Sequence, residues 1–235
     1  SQTKIFTKKS KIIICNNADN HFKTLKKIIN INYDILIEKP IFTSVTHLKF
    51  LTFKKNIFFS RLFSFDYYLN LFSNKINKNK ISKVDIIWHD SKKEKRYGMI
   101  KKHDLKIRYN LDIFSHLMNL IEIISKKNIN KIDYYEVKKD NKDESIFLIK
   151  FNQILFKFKI SRIKKQRKRY IRVTDLKKNI YEIDFSKNNK VLRKDSQHSF
   201  TKLPYKSMGN LSKMLKSFLY KNKETKKIDI NYGIK

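Results

Sequence analysis

The chain has one cysteine, two prolines, three glycines and, at Ala18, a single alanine in 235 residues. With Cys15 alone, an intrachain disulfide and a multi-cysteine zinc site are excluded. The glycines, Gly98, Gly209 and Gly233, leave room for neither a G-x-x-x-x-G-K phosphate loop nor a G-x-G-x-x-G turn, and no G-x-S-x-G nucleophile turn occurs. Long apolar runs are missing too. The most apolar stretch, Ile57 to Phe72, is interrupted by Arg61 and Asp66, and a membrane-spanning helix needs roughly 18 uninterrupted apolar residues. The six histidines, at 21, 47, 89, 103, 116 and 198, show no metal-ligand spacing.

Acidic residues are scarce: 21 Asp and Glu face 55 Lys and Arg, a formal net charge of +34. Such an excess opposes compaction unless a polyanion neutralises it, and phosphate contacts draw affinity from counterion release. RNA is therefore the expected partner. At 40% hydrophobic and 13% aromatic residues, the chain is too apolar for a disordered basic tail and predicts a folded core. The bias toward Lys, Asn, Ile and Phe matches A/T-rich codons, as in many organellar genomes. Residues 1–18 contain no acid and several lysines, superficially like a transit peptide. The first residue, Ser1, favours a mature or organelle-encoded N-terminus.

Residues 1–60 show poor periodicity and read as an N-terminal extension, with one helix about Phe22, Leu25, Ile28 and Ile29 and a strand near Asp34–Glu38. Pro40 keeps Lys39 extended. A core follows over 61–185. Phe65, Tyr68, Leu69, Phe72 and Ile76 form one helical face, capped by Ser64 or Asp66. Val84 to Trp88 reads as a strand. Ile113, Phe114, Leu117, Leu120, Ile121 and Ile124 make the best helix, Asp112 to Ser125. Strands follow at Ile132–Val137, Ser145–Phe151 and Ile154–Ile160, the last two joined about Asn152-Gln153. Tyr170, Arg172, Tyr181, Ile183 and Phe185 continue a period of two. Residues 186–235 read as a C-terminal extension with an amphipathic helix from Met208 to Leu219, a charged tail from Asn222 to Lys227 and a short strand at Ile228–Ile230. The expected class is α+β, a mixed and mostly antiparallel sheet with about four helices.

No residue set carries catalysis. His116 on its helix reads as a surface or core histidine. Trp88-His89-Asp90 cannot act as an acid–base pair, because adjacent strand residues point to opposite faces. Asp140, Asp143 and Glu144 read as a solvated turn rather than a metal-dependent nuclease site. The densest local signal is Ser161–Tyr170, and four of the chain's eight arginines lie at 162, 167, 169 and 172. The guanidinium fork suits phosphate. The expected RNA-binding set is Lys157, Lys159, Arg162, Lys164, Lys165, Arg167, Lys168, Arg169 and Arg172, carried by a basic hairpin turn, with no cofactor and no metal.

Two segments carry a family resemblance. Asn128-Ile129-Asn130-Lys131-Ile132-Asp133-Tyr134-Tyr135-Glu136-Val137, preceded by a helix, resembles one segment of the eighth protein of the small ribosomal subunit. Ile160-Ser161-Arg162-Ile163-Lys164 through Tyr170-Ile171-Arg172-Val173 is similar to a later strand of that family. The resemblance implies a non-enzymatic, structural, rRNA-binding component of a mitochondrial small ribosomal subunit. Its partners would be rRNA and neighbouring ribosomal proteins. The alternative is an accessory subunit of a respiratory or ATP-synthase complex.

Overall fold

The computed structural model describes residues 10–40, 43–44, 46–49, 57–77, 80–91, 93, 95–96, 99–100, 106–129, 131–186, 191–194, 201–202 and 209–220. The tail and the strand expected at 222–230 lie outside the described residues, as does the start of the last helix at Met208. The described residues form an α+β fold built on two sheets that flank the candidate site.

The first sheet has three parallel strands in chain order, β1 (Lys11–Ile14), β2 (Asp34–Ile37) and β3 (Ile57–Phe59). Helix α1 (Ala18–Ile28) connects β1 to β2, and a single turn, α2 (Thr46–Lys49), precedes β3. These strands are short and apolar at nearly every position, as parallel strands covered on both faces are. Leu25 and Ile29 pack from the α1 side onto Ile14, Ile35, Ile37, Ile57 and Phe59. On the opposite face Leu36 and Phe58 meet Met214 and Phe218 of a late helix, α5 (Asn210–Leu219). β1, α1, β2 and β3, which fall in the segment expected as an extension, thus share a core of their own.

After β3 the chain makes a single 3-10 turn (Leu62–Phe65) and enters α3 (Tyr67–Lys75). Asp66 caps α3 by accepting from the Tyr68 and Leu69 amides, each at 3.0 Å. Strand β4 (Ile81–Ser91) opens a second sheet; a two-residue ribbon, β5 (Lys95–Arg96) and β6 (Met99–Ile100), and helix α4 (Tyr109–Ser125) follow. Then come β7 (Tyr134–Asp140), β8 (Glu144–Phe151), β9 (Ile154–Lys164), β10 (Lys168–Asp175), β11 (Ile180–Asp184), β12 (Val191–Lys194) and β13 (Thr201–Lys202). The sheet order is β13-β12-β11-β10-β4-β9-β8-β7. Only the β4–β9 pair is parallel, so the sheet is mixed and mostly antiparallel as expected.

The period-two pattern decides which face is buried. Val84, Ile86 and Trp88 of β4, Phe156, Phe158 and Ile160 of β9, and Ile171 and Val173 of β10 join one core with Ile113, Leu117, Leu120, Ile121 and Ile124 of α4. Burying each such side chain contributes about 1.5–3 kcal/mol. The expected β8–β9 hairpin is present: Asn152 and Gln153 have φ of 50° and 65°, the paired left-handed residues of a tight two-residue turn. The basic segment differs from expectation. β4 lies between β9 and β10, so Lys165-Gln166-Arg167 is a step across the end of β4 rather than a hairpin turn. Ser91 at that end donates from Oγ to the Lys165 carbonyl at 3.1 Å.

Candidate active site

Ligands of open α/β sheets collect beyond the carboxyl ends of their parallel strands. Here β2 ends at Ile37 and runs into Glu38-Lys39-Pro40. Buried His21 of α1 fixes this turn: Nδ1 lies 2.8 Å from the Pro40 carbonyl oxygen and Nε2 2.7 Å from that of Asn16. Glu38 is held by Ser60, which donates from Oγ at 2.9 Å. The turn aims Lys39 away from its own sheet and toward α4. Lys39 Nζ donates to Asp112 Oδ1 at 2.8 Å. One helical turn later His116 lies on the same face of α4, as i,i+4 spacing dictates.

Lys39 and His116 line a cavity of about 360 Å³ together with Phe63, Asp66, Trp88, Asp90, Arg167, Arg169 and Asn210. The second sheet supplies its floor. Trp88 and Asp90 sit two apart on β4 and share the buried face, while His89 points the other way. The Arg169 guanidinium bonds to Asp90 and lies 3.8 Å above the Trp88 ring. Tyr109 donates from its hydroxyl to the second Asp90 oxygen at 2.9 Å. Burial, with the Asp90 charge beside it, pushes the Tyr109 hydroxyl far above its ordinary range, so it remains a neutral donor. Phe63 packs edge-on against both Trp88 and His116.

His116 is almost wholly buried, and desolvation, with the positive charge of Lys39 adding to it, lowers its pKa to about 3. At neutral pH it is an uncharged imidazole. The cavity therefore joins a flexible cationic donor held by a carboxylate, a neutral imidazole and a rigid Asp90–Arg169–Trp88 wall. That combination can hold a small polar molecule and exchange a proton with it.

The expected RNA-binding residues do not form one surface. Arg162 is buried, with Nε donating to Asp143 at 2.7 Å and the guanidinium 5.8 Å from the Tyr109 ring. Arg169 is buried against Asp90. Lys164 pairs with Glu144 at 2.6 Å, and with Lys139 it draws the Glu144 carboxyl down to about 2. Arg172 pairs with Glu182 at 2.6 Å. Lys165, Arg167 and Lys168 are exposed at the crossing step, and Arg167 also lines the cavity. Lys157 and Lys159 lie on the face of β9 opposite the core. Three of the four arginines here, Arg162, Arg169 and Arg172, are engaged in ion pairs of the second sheet, and that of Arg169 with Asp90 is fully buried.

Lys39, Tyr109 and Asp112 were not among the expected site residues, and His116 read as a core or surface histidine. The available signal was a charged Glu-Lys-Pro directly after an apolar run, and an acid and a histidine one turn apart on an apolar helix. Among the described residues no group of three or more His, Cys, Asp or Glu could hold a metal, and no helix is long and apolar enough to cross a membrane.

No protein-family profile and no curated protein matches the chain in sequence. Solved structures do match in fold. UDP-N-acetylglucosamine 3-dehydrogenase GnnA from Acidithiobacillus ferrooxidans is 13% identical with a TM-score of 0.65, over 88% of this chain and 67% of its own. A dehydrogenase (MviM) from Clostridium difficile is 12% identical with a TM-score of 0.64, over 90% of this chain and 70% of its own. GenD2 from gentamicin A biosynthesis, solved in complex with NAD, is 11% identical with a TM-score of 0.66, over 94% and 72%. These neighbours are oxidoreductases of the Gfo/Idh/MocA family. The likeness spans both sheets and is a likeness of fold.

It overturns the ribosomal reading. The resemblance to the small-subunit family rested on a helix followed by strands with matching Ile, Lys and Tyr, a local order that this dehydrogenase-type fold also contains. With it go the non-enzymatic role and the rRNA and ribosomal-protein partners; the respiratory-subunit alternative falls on the same finding.

The fold raises the question of NAD. A dinucleotide's pyrophosphate needs a glycine-rich turn opening on a helix N-terminus. The connection from the first parallel strand to its helix, Cys15-Asn16-Asn17 between β1 and α1, has no glycine and places Asp19 in the first helical turn. Its polar groups are engaged internally: Asn16 Nδ2 donates to Thr24 at 2.8 Å, and the Asn16 carbonyl faces His21. This turn does not fit a pyrophosphate.

Proposed function

We propose that the chain provides the substrate-binding and proton-transfer site of an oxidoreductase acting on a hydroxyl or carbonyl group of a small polar substrate. The observation that carries this reading is the Lys39–Asp112 pair beside His116, at the carboxyl end of a parallel strand and on a cavity in a dehydrogenase-type fold. In the reductive direction a hydride delivered to the carbonyl carbon by a separately supplied two-electron donor would turn the carbonyl into an alcohol, and the Lys39 ammonium gives the oxygen its proton. In the oxidative direction the hydride leaves to a separately supplied acceptor while the Lys39 side chain stays hydrogen-bonded to the oxygen that loses its proton. Asp112 holds the ammonium in place. Neutral His116 offers the same oxygen a hydrogen bond without adding charge. Positioned acid–base groups of this kind contribute roughly 10²–10⁴ in rate.

The test is turnover of a panel of hexoses and their keto derivatives by the full chain, with nicotinamide nucleotides and artificial hydride acceptors supplied in parallel. The expected result is turnover that Lys39→Met lowers by about 10³ without unfolding the protein. Equal rates for K39M and the unaltered chain, or no oxidation or reduction of any panel member, overturn the reading.

A further inference from the structure

Donors and acceptors in the Lys39 cavity are out of balance. Both carboxylates that line it are already engaged. Asp66 accepts through Oδ1 from two backbone amides of α3 and through Oδ2 from Asn210 Nδ2 at 2.9 Å. Asp90 accepts from Arg169 at one oxygen and from the Tyr109 hydroxyl at the other. The donors are not used up. Trp88 Nε1, Arg169 Nε and His116 Nδ1 are buried and have no hydrogen-bond partner. All three belong to residues lining this one cavity, and all three residues are more than nine-tenths buried. Lys39 carries three donors, of which one goes to Asp112.

Unpartnered buried polar atoms are rare in native proteins because each forfeits its hydration. Three on one cavity mark a place where a ligand completes the bonding. Two of them, an indole N–H and a guanidinium N–H, can only donate. Their missing partner is therefore an acceptor. A neutral polyol brings a donor with every hydroxyl, and the carboxylates that would receive those donors already accept a bond at every oxygen. A group with several acceptor oxygens and no donors balances the site. The Arg169 guanidinium stacked at 3.8 Å on the Trp88 ring makes the two N–H donors one rigid unit, and Arg167 adds a further positive charge to the lining.

We infer that the substrate of this cavity carries an oxyanion, a carboxylate or a phosphate, received by the indole N–H of Trp88 and the guanidinium of Arg169 while Lys39 meets the reacting oxygen. This rests on the oxidoreductase reading for the identity of the reacting group. The anion preference itself is a binding property and is measured without turnover.

Trp88 is the chain's only tryptophan, so its fluorescence reports occupancy of the cavity directly. D-Galacturonate, D-galactose 1-phosphate and D-galactose are titrated at constant ionic strength. The expected result is saturable quenching by at least one anionic sugar, with affinity about tenfold or more above that of galactose. Which anion binds tells carboxylate from phosphate. Trp88→Phe keeps an aromatic ring against Arg169 and removes the N–H; by calorimetry it is expected to weaken the preferred anion about tenfold. Equal affinities for galactose and both anions, no saturable binding by any of them, or undiminished anion binding by W88F overturns the inference. K39M separates the two claims: lost turnover with the anion preference retained supports both. Retained turnover with the preference intact overturns the proton-transfer reading alone.

Discussion

The segment from β9 to β10 carries four arginines within eleven residues, and the turn after β2 carries one lysine beside a proline. By charge density the first is the obvious site and the second is unremarkable. In the fold only Arg167 and Arg169 of the first reach the cavity, while the lone Lys39 of the second stands over it. Arg169 turns inward to the buried Asp90, Arg162 is itself buried against the partly exposed Asp143, and Arg172 lies along its own sheet against Glu182. Lys39 projects across the junction of two sheets to a carboxylate on a different element, above a cavity. Positive charge counts for chemistry when a cavity and a partner of separate origin meet it. Along one sheet it mainly holds strands together.

The sharpest test of this contrast exchanges function for stability. Lys39→Met is expected to lower turnover about 10³-fold, worth about 4 kcal/mol of transition-state stabilisation, while its melting temperature stays within a few degrees of the unaltered protein. Arg169→Met removes the partner of Asp90 inside the core. A buried charge left alone costs about 3–5 kcal/mol, so urea melts without substrate are expected to show a loss of that size. If R169M is as stable as the parent, the wall of the cavity is not built as described.

A smaller effect comes from His116. Its native pKa lies near 3 because burial excludes the charged form, whereas the unfolded imidazole titrates near 6.5. Between these values the unfolded chain binds a proton that the native protein refuses. Stability therefore falls as pH drops from about 6.5 toward 3, by up to roughly 1.4 kcal/mol per pH unit from this group. Equilibrium melts across that range are expected to show the slope, and His116→Gln to remove this component of it. The smallest effect belongs to the exposed pair. Arg172→Ala is expected to cost no more than about 1 kcal/mol and to leave turnover unchanged.

Much of the fold was legible in residue order. The stripe Ile113, Leu117, Leu120, Ile121 and Ile124 marks α4, alternation through Phe156, Phe158 and Ile160 marks β9, and Asn152-Gln153 marks its hairpin, because each pattern is local and has one satisfactory burial solution. What escaped was non-local. Nothing in Lys165-Gln166-Arg167 says that another strand passes between its neighbours, so a step across β4 reads as a hairpin. The three strands of the first sheet are only four, four and three residues long, too short to show a period. The site escaped for the same reason. Lys39 and Asp112 are 73 positions apart, and only the packing of α4 beside the carboxyl end of β2 makes them neighbours.

The placement of β4 sets an order on how the protein assembles. β4 pairs with no strand adjacent to it in sequence; it waits for β9 on one side and β10 on the other. Asp90 and Arg169, 79 positions apart, meet only when that closure is made. Contacts of such high sequence separation bear their loop entropy before they stabilise anything, and they slow folding. A nascent chain holds its Trp88 strand unpaired until the eleven residues of β9 have been made. The cavity wall thus forms only once β9 and β10 have both joined β4, so molecules lacking either pairing lack the assembled site.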